Sequence, residues 1–275
     1  MIDPADPDQL FELMRRHRIT LKKRFGQNFM IDRSLRDAVV EAAGIPGDDG
    51  VIEVGAGVGT LTIELARRAQ WVLAVELDRT LIAALREVVA PFPFVHVENA
   101  DILDYAPRGG EVVVGNIPYN LTGALIRKLL DKPPRPKRLS LVVQKEVADR
   151  WTAASGASVA TVAVQVFTTP RSVFTIPASA FTPQPRVDSA LVILEVRERP
   201  AVNVDDFDTF FRFVEAVFQQ RRKQVGGTLG RLSGEGSQQA ARRLRDAGID
   251  PERRPQTLNL AEWEAIFRSF GGTGR

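Results

Sequence analysis

Between Val51 and Ala153 the chain alternates short apolar runs with stretches of helical spacing, an order that few folds satisfy. Val51–Val54, Trp71–Val75, Phe94–Val97, Val112–Val114 and Leu139–Val143 read as strands. Thr60–Ala69, Thr80–Val89, Thr122–Leu130 and Lys145–Ala153 read as helices, as do Asp8–Arg18 and Ser34–Ala43 ahead of them. Strands separated by helices cannot close as tight hairpins, so a mostly parallel sheet covered on both faces is expected. Two later strands, Ser172–Ile176 and Ala190–Val196, suit an antiparallel hairpin at the sheet edge and bring the expected sheet to seven.

A domain boundary falls near Arg199-Pro200. Beyond Asp205 the pattern turns helical, with Phe207, Phe210, Phe211, Val214, Val217 and Phe218 recurring at helical spacing. Asn259 with Glu262 three residues later reads as a capped helix start, and Gly271-Gly272 as its stop. Two domains are therefore expected, an α/β domain over 1–199 and a small all-helical one over 200–275. A chain of 275 residues can bury one full core plus such a module. No apolar run approaches the roughly 18 residues that span a bilayer. The acidic start Met1-Ile2-Asp3-Pro4 does not resemble a secretory signal, so a cytoplasmic location is expected.

The chain has no cysteine, which removes thiolate nucleophiles, iron–sulfur clusters and cysteine zinc sites. Its two histidines, His17 and His96, lack partners at ligand spacing, and no metal is expected. Net charge is only +3, yet the cations are bunched. Arg15, Arg16, Arg18, Lys22, Lys23 and Arg24 form one cluster. Arg221, Arg222, Lys223, Arg231, Arg242, Arg243, Arg245, Arg253 and Arg254 enrich the last quarter. Such clusters suit a polyphosphate backbone, and equally solvated helix faces.

Open α/β sheets bind ligands at the carboxyl ends of their strands. Gly55, Gly57 and Gly59 stand at one such end, where a missing Cβ lets backbone approach a ligand. Glu76 ends the next strand, placed to accept from two ribose hydroxyls, and Asp101 follows the strand after that, placed to accept from an adenine amino group. Helix capping is the plainer role for either acid.

Asn116-Ile117-Pro118-Tyr119 closes the run Glu111–Gly115. Adenine's amino nitrogen is a weak nucleophile because its lone pair is delocalised. The Asn116 side-chain oxygen and the Ile117 carbonyl, held by the fixed φ of Pro118, are candidate acceptors for both amino hydrogens. Tyr119 is placed to stack on a base drawn out of its helix. A strand-ending turn with Tyr119 in the core remains the alternative.

With these motifs the chain resembles the small-subunit ribosomal RNA adenine dimethyltransferases, relatives of the erythromycin-resistance methyltransferases. The likeness spans nearly the whole chain: Arg24-Phe25-Gly26-Gln27-Asn28-Phe29, the glycine loop, Asn116–Asn120, Val143–Arg150, Phe181–Ser189 and Gln220–Lys223. It implies a Rossmann-like class I methyltransferase domain whose first 33 residues cover the cofactor, followed by a helical RNA-binding domain. It implies S-adenosylmethionine held by Gln27, Asn28, Met30, Glu53, Gly55, Gly57, Glu76, Asp101, Ile102 and Asn116. Phe181 would stack on the target base, although an ordinary core aromatic is the alternative. The implied reaction is dimethylation of two adjacent adenosines near the 3′ end of 16S rRNA in the immature small subunit, by a monomer. Two stretches depart from the family pattern, Ala157–Val162 and Gln224–Gly227.

Three other readings stay open from sequence: an assembly factor acting mainly by binding the immature subunit, a 23S rRNA methyltransferase of the resistance type, and a nicotinamide dehydrogenase resting on Gly55–Gly59 with Glu76.

Overall fold

The computed structural model describes residues 1–21, 27–117 and 121–271. The strands in chain order are β1 (Phe29–Met30), β2 (Gly50–Val54), β3 (Trp71–Val75), β4 (Val95–Glu98), β5 (Val112–Asn116), β6 (Arg138–Gln144), β7 (Thr168–Ile176), β8 (Phe181–Thr182) and β9 (Ser189–Val196). The helices are α1 (Pro7–Arg16), α2 (Arg33–Ala42), α3 (Thr62–Ala66), α4 (Ile82–Val89), α5 (Thr122–Leu130), α6 (Lys145–Thr152), α7 (Val159–Phe167), α8 (Phe207–Phe218), α9 (Val225–Leu232), α10 (Ser237–Asp246) and α11 (Leu260–Phe270).

Seven strands form one sheet in the order β4-β3-β2-β5-β6-β9-β7. The first five run parallel, and β9 lies antiparallel to β6. The expected edge hairpin appears as β9 and β7 side by side at that edge. The chain winds outward from β2 to β4, then resumes on the other side of β2 with β5. That reversal opens a crevice above the carboxyl ends of β2 and β5. Val51, Ile52 and Val54 are buried, as are Val112, Val113 and Val114, which explains their unbroken apolar runs. Gly115 lets the two strands approach: a Cβ there would sit 2.7 Å from the Val54 carbonyl oxygen.

Helix α1 is capped by Asp6, whose side chain accepts from the Asp8 and Gln9 amides, and it turns Leu10 and Leu13 inward. Buried Arg36 on α2 pairs with Asp3, Asp37 and Glu64, which ties the first residues to α2 and α3. Helix α3 is shorter than its pattern, because the glycine loop continues as turns to Leu61. Strands β1 and β8 pair antiparallel in a separate two-stranded sheet, Phe29 opposite Thr182 and Met30 opposite Phe181.

By contacts the chain divides into two units, Met1–Ala148 with Pro170–Val196, and Asp149–Thr169 with Arg197–Arg275. The expected crossing near 199 lies close to the observed one. The segment 149–169, read from sequence as part of the first domain, instead groups with the C-terminal helices. Its helix α7 is buried at every position from Thr161 to Phe167, so it needs cover on all sides. The Phe167 ring lies 5.2 Å from that of Phe207 and 5.8 Å from that of Phe211. The departures from the family pattern sit here: Ser158 caps α7 by accepting from the Thr161 amide, and Gly226 packs against Pro251. The expected capping box of Asn259 and Glu262 starts α11. Among the described residues no helix is long and apolar enough to cross a membrane.

Candidate active site

The crevice is a concave cleft open to solvent on one side. Gln27, Asn28, Met30, Glu53, Gly55, Gly57, Glu76, Asp101, Ile102 and Asn116 all line it. Residues from five separate stretches of sequence thus meet in one place.

Glu76 braces the glycine loop from the neighbouring strand. One carboxylate oxygen accepts from the Gly57 amide and the other from the Asp78 amide, each at 2.7 Å. Burial pushes its pKa up, opposed by these backbone donors. Each oxygen keeps acceptor capacity for a ligand. Gly57 has φ +60°, and a Cβ there would come within 3.0 Å of the Phe29 ring, so glycine is required twice over. Asp101 caps the short 3₁₀ turn Ile102–Asp104 by accepting from the Leu103 amide at 2.9 Å. Only Oδ1 serves that cap, so capping and ligand binding are compatible in one residue.

Glu53 lies on the cleft floor at 1% exposure, and burial pushes its pKa up to about 8, with the Thr62 hydroxyl opposing and Glu76 adding. Among the described residues its Oε2 and the Thr60 hydroxyl have no hydrogen-bond partner. Orphaned oxygens on the floor of a cleft fit a ligand that brings donors of its own.

Asn116 ends β5. Its side-chain nitrogen donates to the Asn28 carbonyl at 2.9 Å. A planar amide anchored through nitrogen holds its oxygen in a fixed direction as a free acceptor. The Ile117 amide donates to the Val142 carbonyl at 3.3 Å, and its side chain is buried. Pro118 and Tyr119 lie outside the described residues. Phe181 is 3% exposed, in one apolar cluster with Met30, Ile176, Ala180 and Leu191. Pairing of β8 with β1 sets Phe181 opposite Met30, which lines the cleft.

A family model described as ribosomal RNA adenine dimethylase matches residues 18–269. The chain belongs to the ribosomal RNA adenine dimethylase family. The family sets aside the nicotinamide reading and gives the sheet its class, a Rossmann-like class I methyltransferase. The chain is 39% identical to the ribosomal RNA small subunit methyltransferase A of Geobacillus thermodenitrificans, over 98% of this chain and 97% of that one. It is 41% identical to the protein of the same name from Pelotomaculum thermopropionicum, over 100% and 99%. Among solved structures it is similar to the 23S rRNA methyltransferase ErmE, at 29% identity and TM-score 0.69, covering 88% of this chain and 99% of that one. A dimethyladenosine transferase from Plasmodium falciparum shares the fold, with TM-score 0.74 at 24% identity over 89% and 98%.

Sequence reasoning missed several residues that line this adenine dimethylase's cleft, among them Thr60, Leu77, Ala100 and Leu121. Leu77 carries a signal in hindsight, a large apolar side chain directly after the strand-end acid, left 50% exposed beside a cleft.

Proposed function

We propose that the protein transfers methyl groups from S-adenosylmethionine to N6 of two adjacent adenosines in a hairpin near the 3′ end of 16S rRNA, within the immature small subunit. It acts in the cytoplasm as a monomer. The observation that carries this reading is the Asn116 amide, anchored by the Asn28 carbonyl at the edge of the lined cleft. Small-subunit enzymes among the relatives, at 39 and 41% identity against 29% for the 23S enzyme, support the small subunit over the resistance-type substrate.

Bound in the cleft, S-adenosylmethionine supplies an electrophilic methyl group. Glu76 accepts from its ribose hydroxyls, Asp101 from its adenine amino group, and Gly55 and Gly57 let backbone lie against it. Asn116 Oδ1 and the Ile117 carbonyl accept the two amino hydrogens of the target base, favour a pyramidal nitrogen and aim its lone pair. No strong base is needed, since a methylated cationic nitrogen loses its proton readily to water. Gln27 donates to Asp78 at 2.8 Å, which closes the N-terminal segment over the cofactor end.

Exposed Arg221, Arg222, Lys223, Arg231, Arg242, Arg245 and Arg254 support RNA binding by the second unit, whereas Arg243 and Arg253 are engaged by Glu235 and Glu262. That surface also favours a binding role in assembly alongside catalysis. Mapping of modified adenosines in small-subunit RNA from cells with and without the protein tests the assignment. Unchanged adenosines would overturn it.

A further inference from the structure

Helix α1 carries a surface that the active site does not use. Its inner face places Leu10 and Leu13 in the same apolar cluster as Phe29, Ala56 and Leu81, which line the cleft. The outer face carries Phe11 and Arg15, four residues apart and so neighbours on the helix, and Arg18 follows just past its C-terminal cap. Phe11 is 53% exposed. The Arg15 side chain is 80% exposed, and among the described residues its only pairing is with Glu12 one turn back, a solvated bridge of little strength that a phosphate can displace.

Arg18 is the unusual member. It follows the C-cap of α1 with φ +52°, the only non-glycine residue with positive φ among the described residues. Its amide and that of Ile19 close the helix onto the Arg15 and Met14 carbonyls. Glycine is favoured at such a position because an L side chain is strained there. This arginine is exposed, and among the described residues its guanidinium has neither ion pair nor hydrogen bond. Arg16 differs: it is committed to Glu87 on α4, next to His17. The stripe is therefore not a general excess of charge. The left-handed turn carries an exposed guanidinium just beyond a helix end that already presents a second cation and a bare phenyl ring.

An exposed ring followed by two exposed cations suits an unpaired RNA strand, with a base on the ring and phosphates on the guanidiniums. We infer that the outer face of α1 is a further RNA-binding surface, which takes an unpaired stretch of the substrate RNA away from the modified adenosines. This rests on the rRNA methyltransferase reading.

The test uses the full chain and immature small subunits, with Phe11→Ala, Arg15→Gln and Arg18→Gly singly and combined. Methyl transfer and direct subunit binding are measured across a salt series, with S-adenosylmethionine binding measured without RNA. The triple variant raises KM and weakens binding about tenfold or more, with kcat within about twofold and cofactor affinity unchanged. Loss of two phosphate contacts lowers the slope of log affinity against log salt by about 1.4. Arg18→Gly relaxes the turn and raises Tm, so its share of the loss cannot come from unfolding. Unchanged KM, binding and salt slope, with only the rise in Tm, would make the stripe plain solvated surface and overturn the inference. Wild-type protein that binds subunits through this stripe yet methylates nothing would sink the methyltransferase reading and leave the surface standing.

Discussion

At the cofactor end of the crevice, Glu76 holds the Gly57 amide across adjacent strands and Asp101 caps the turn that follows it. At the base end, Asn116 reaches 88 residues back along the chain to the Asn28 carbonyl, and the Phe181 ring is sunk in the core. The first end is built from consecutive strand termini whose hydrogen bonds already fix each acid. The second is assembled from remote stretches around residues 28 and 116. On the proposed reading, a donor pocket complete before substrate arrives is thus set beside an acceptor site that rests on a single anchored amide. Loss of the anchor should damage chemistry far more than cofactor binding.

The largest expected effect comes from Asn116→Ala. Removing the acceptor lowers kcat by about 10²–10³-fold, in the manner of deleting a preorganised polar group from a reaction site. S-adenosylmethionine affinity by calorimetry changes only a few-fold. Asn116→Asp keeps an acceptor but cannot donate to Asn28, and it falls between the two in single-turnover methyl transfer. Equal loss of cofactor affinity and turnover in the alanine variant would mean that the two ends are not separate devices.

Phe181→Ala comes next, with a loss of about 3–5 kcal/mol in stability from the cavity left in the cluster it shares with Met30. Phe181→Leu retains most of that stability. The leucine variant decides the role of the ring: near-normal turnover leaves Phe181 in the core, and a hundredfold loss in a folded protein restores the stacking role that the family likeness implied. Denaturant unfolding and turnover on the same preparation separate these outcomes.

The cofactor end was legible in the sequence because each part lies at the end of its own strand, where local pattern and position suffice. The base end was legible only through Asn116-Ile117-Pro118-Tyr119. Burial of Phe181 depends on β1 pairing with β8, which brings residues 30 and 181 together, and no periodicity encodes a partner 151 residues away. For the same reason α7 was grouped with the wrong neighbours: an apolar run shows that a helix is buried but not which helices cover it. The αL arginine was invisible, since Arg18 reads in sequence as one more cation of its cluster.

Glu53 sharpens the contrast through pH. Burial raises its pKa from 4.5 to about 8, so between those values the folded protein binds a proton that the unfolded chain has released. Stability is therefore full at the acid side of that window and falls as pH rises through it, by roughly 5 kcal/mol from this group. Glu53→Gln removes the contribution and flattens the Tm profile between about pH 5 and 8.5. A variant profile parallel to that of wild type would show that Glu53 is ionised in the fold.

The smallest effect expected is that of Gly57→Ala. The left-handed φ and the Phe29 ring each resist a Cβ, at a combined cost of about 1–2 kcal/mol. The loop can relieve the clash by pushing Phe29 outward, and Phe29 lies next to Asn28, whose carbonyl anchors Asn116. Cofactor affinity then falls about tenfold, because the displaced amide no longer meets Glu76 squarely. A modest drop in kcat at saturating cofactor follows from the shift of Asn28. If affinity falls and kcat does not, the strap tolerates movement at residue 29 without passing it to residue 116, and the two ends are independent even where they touch.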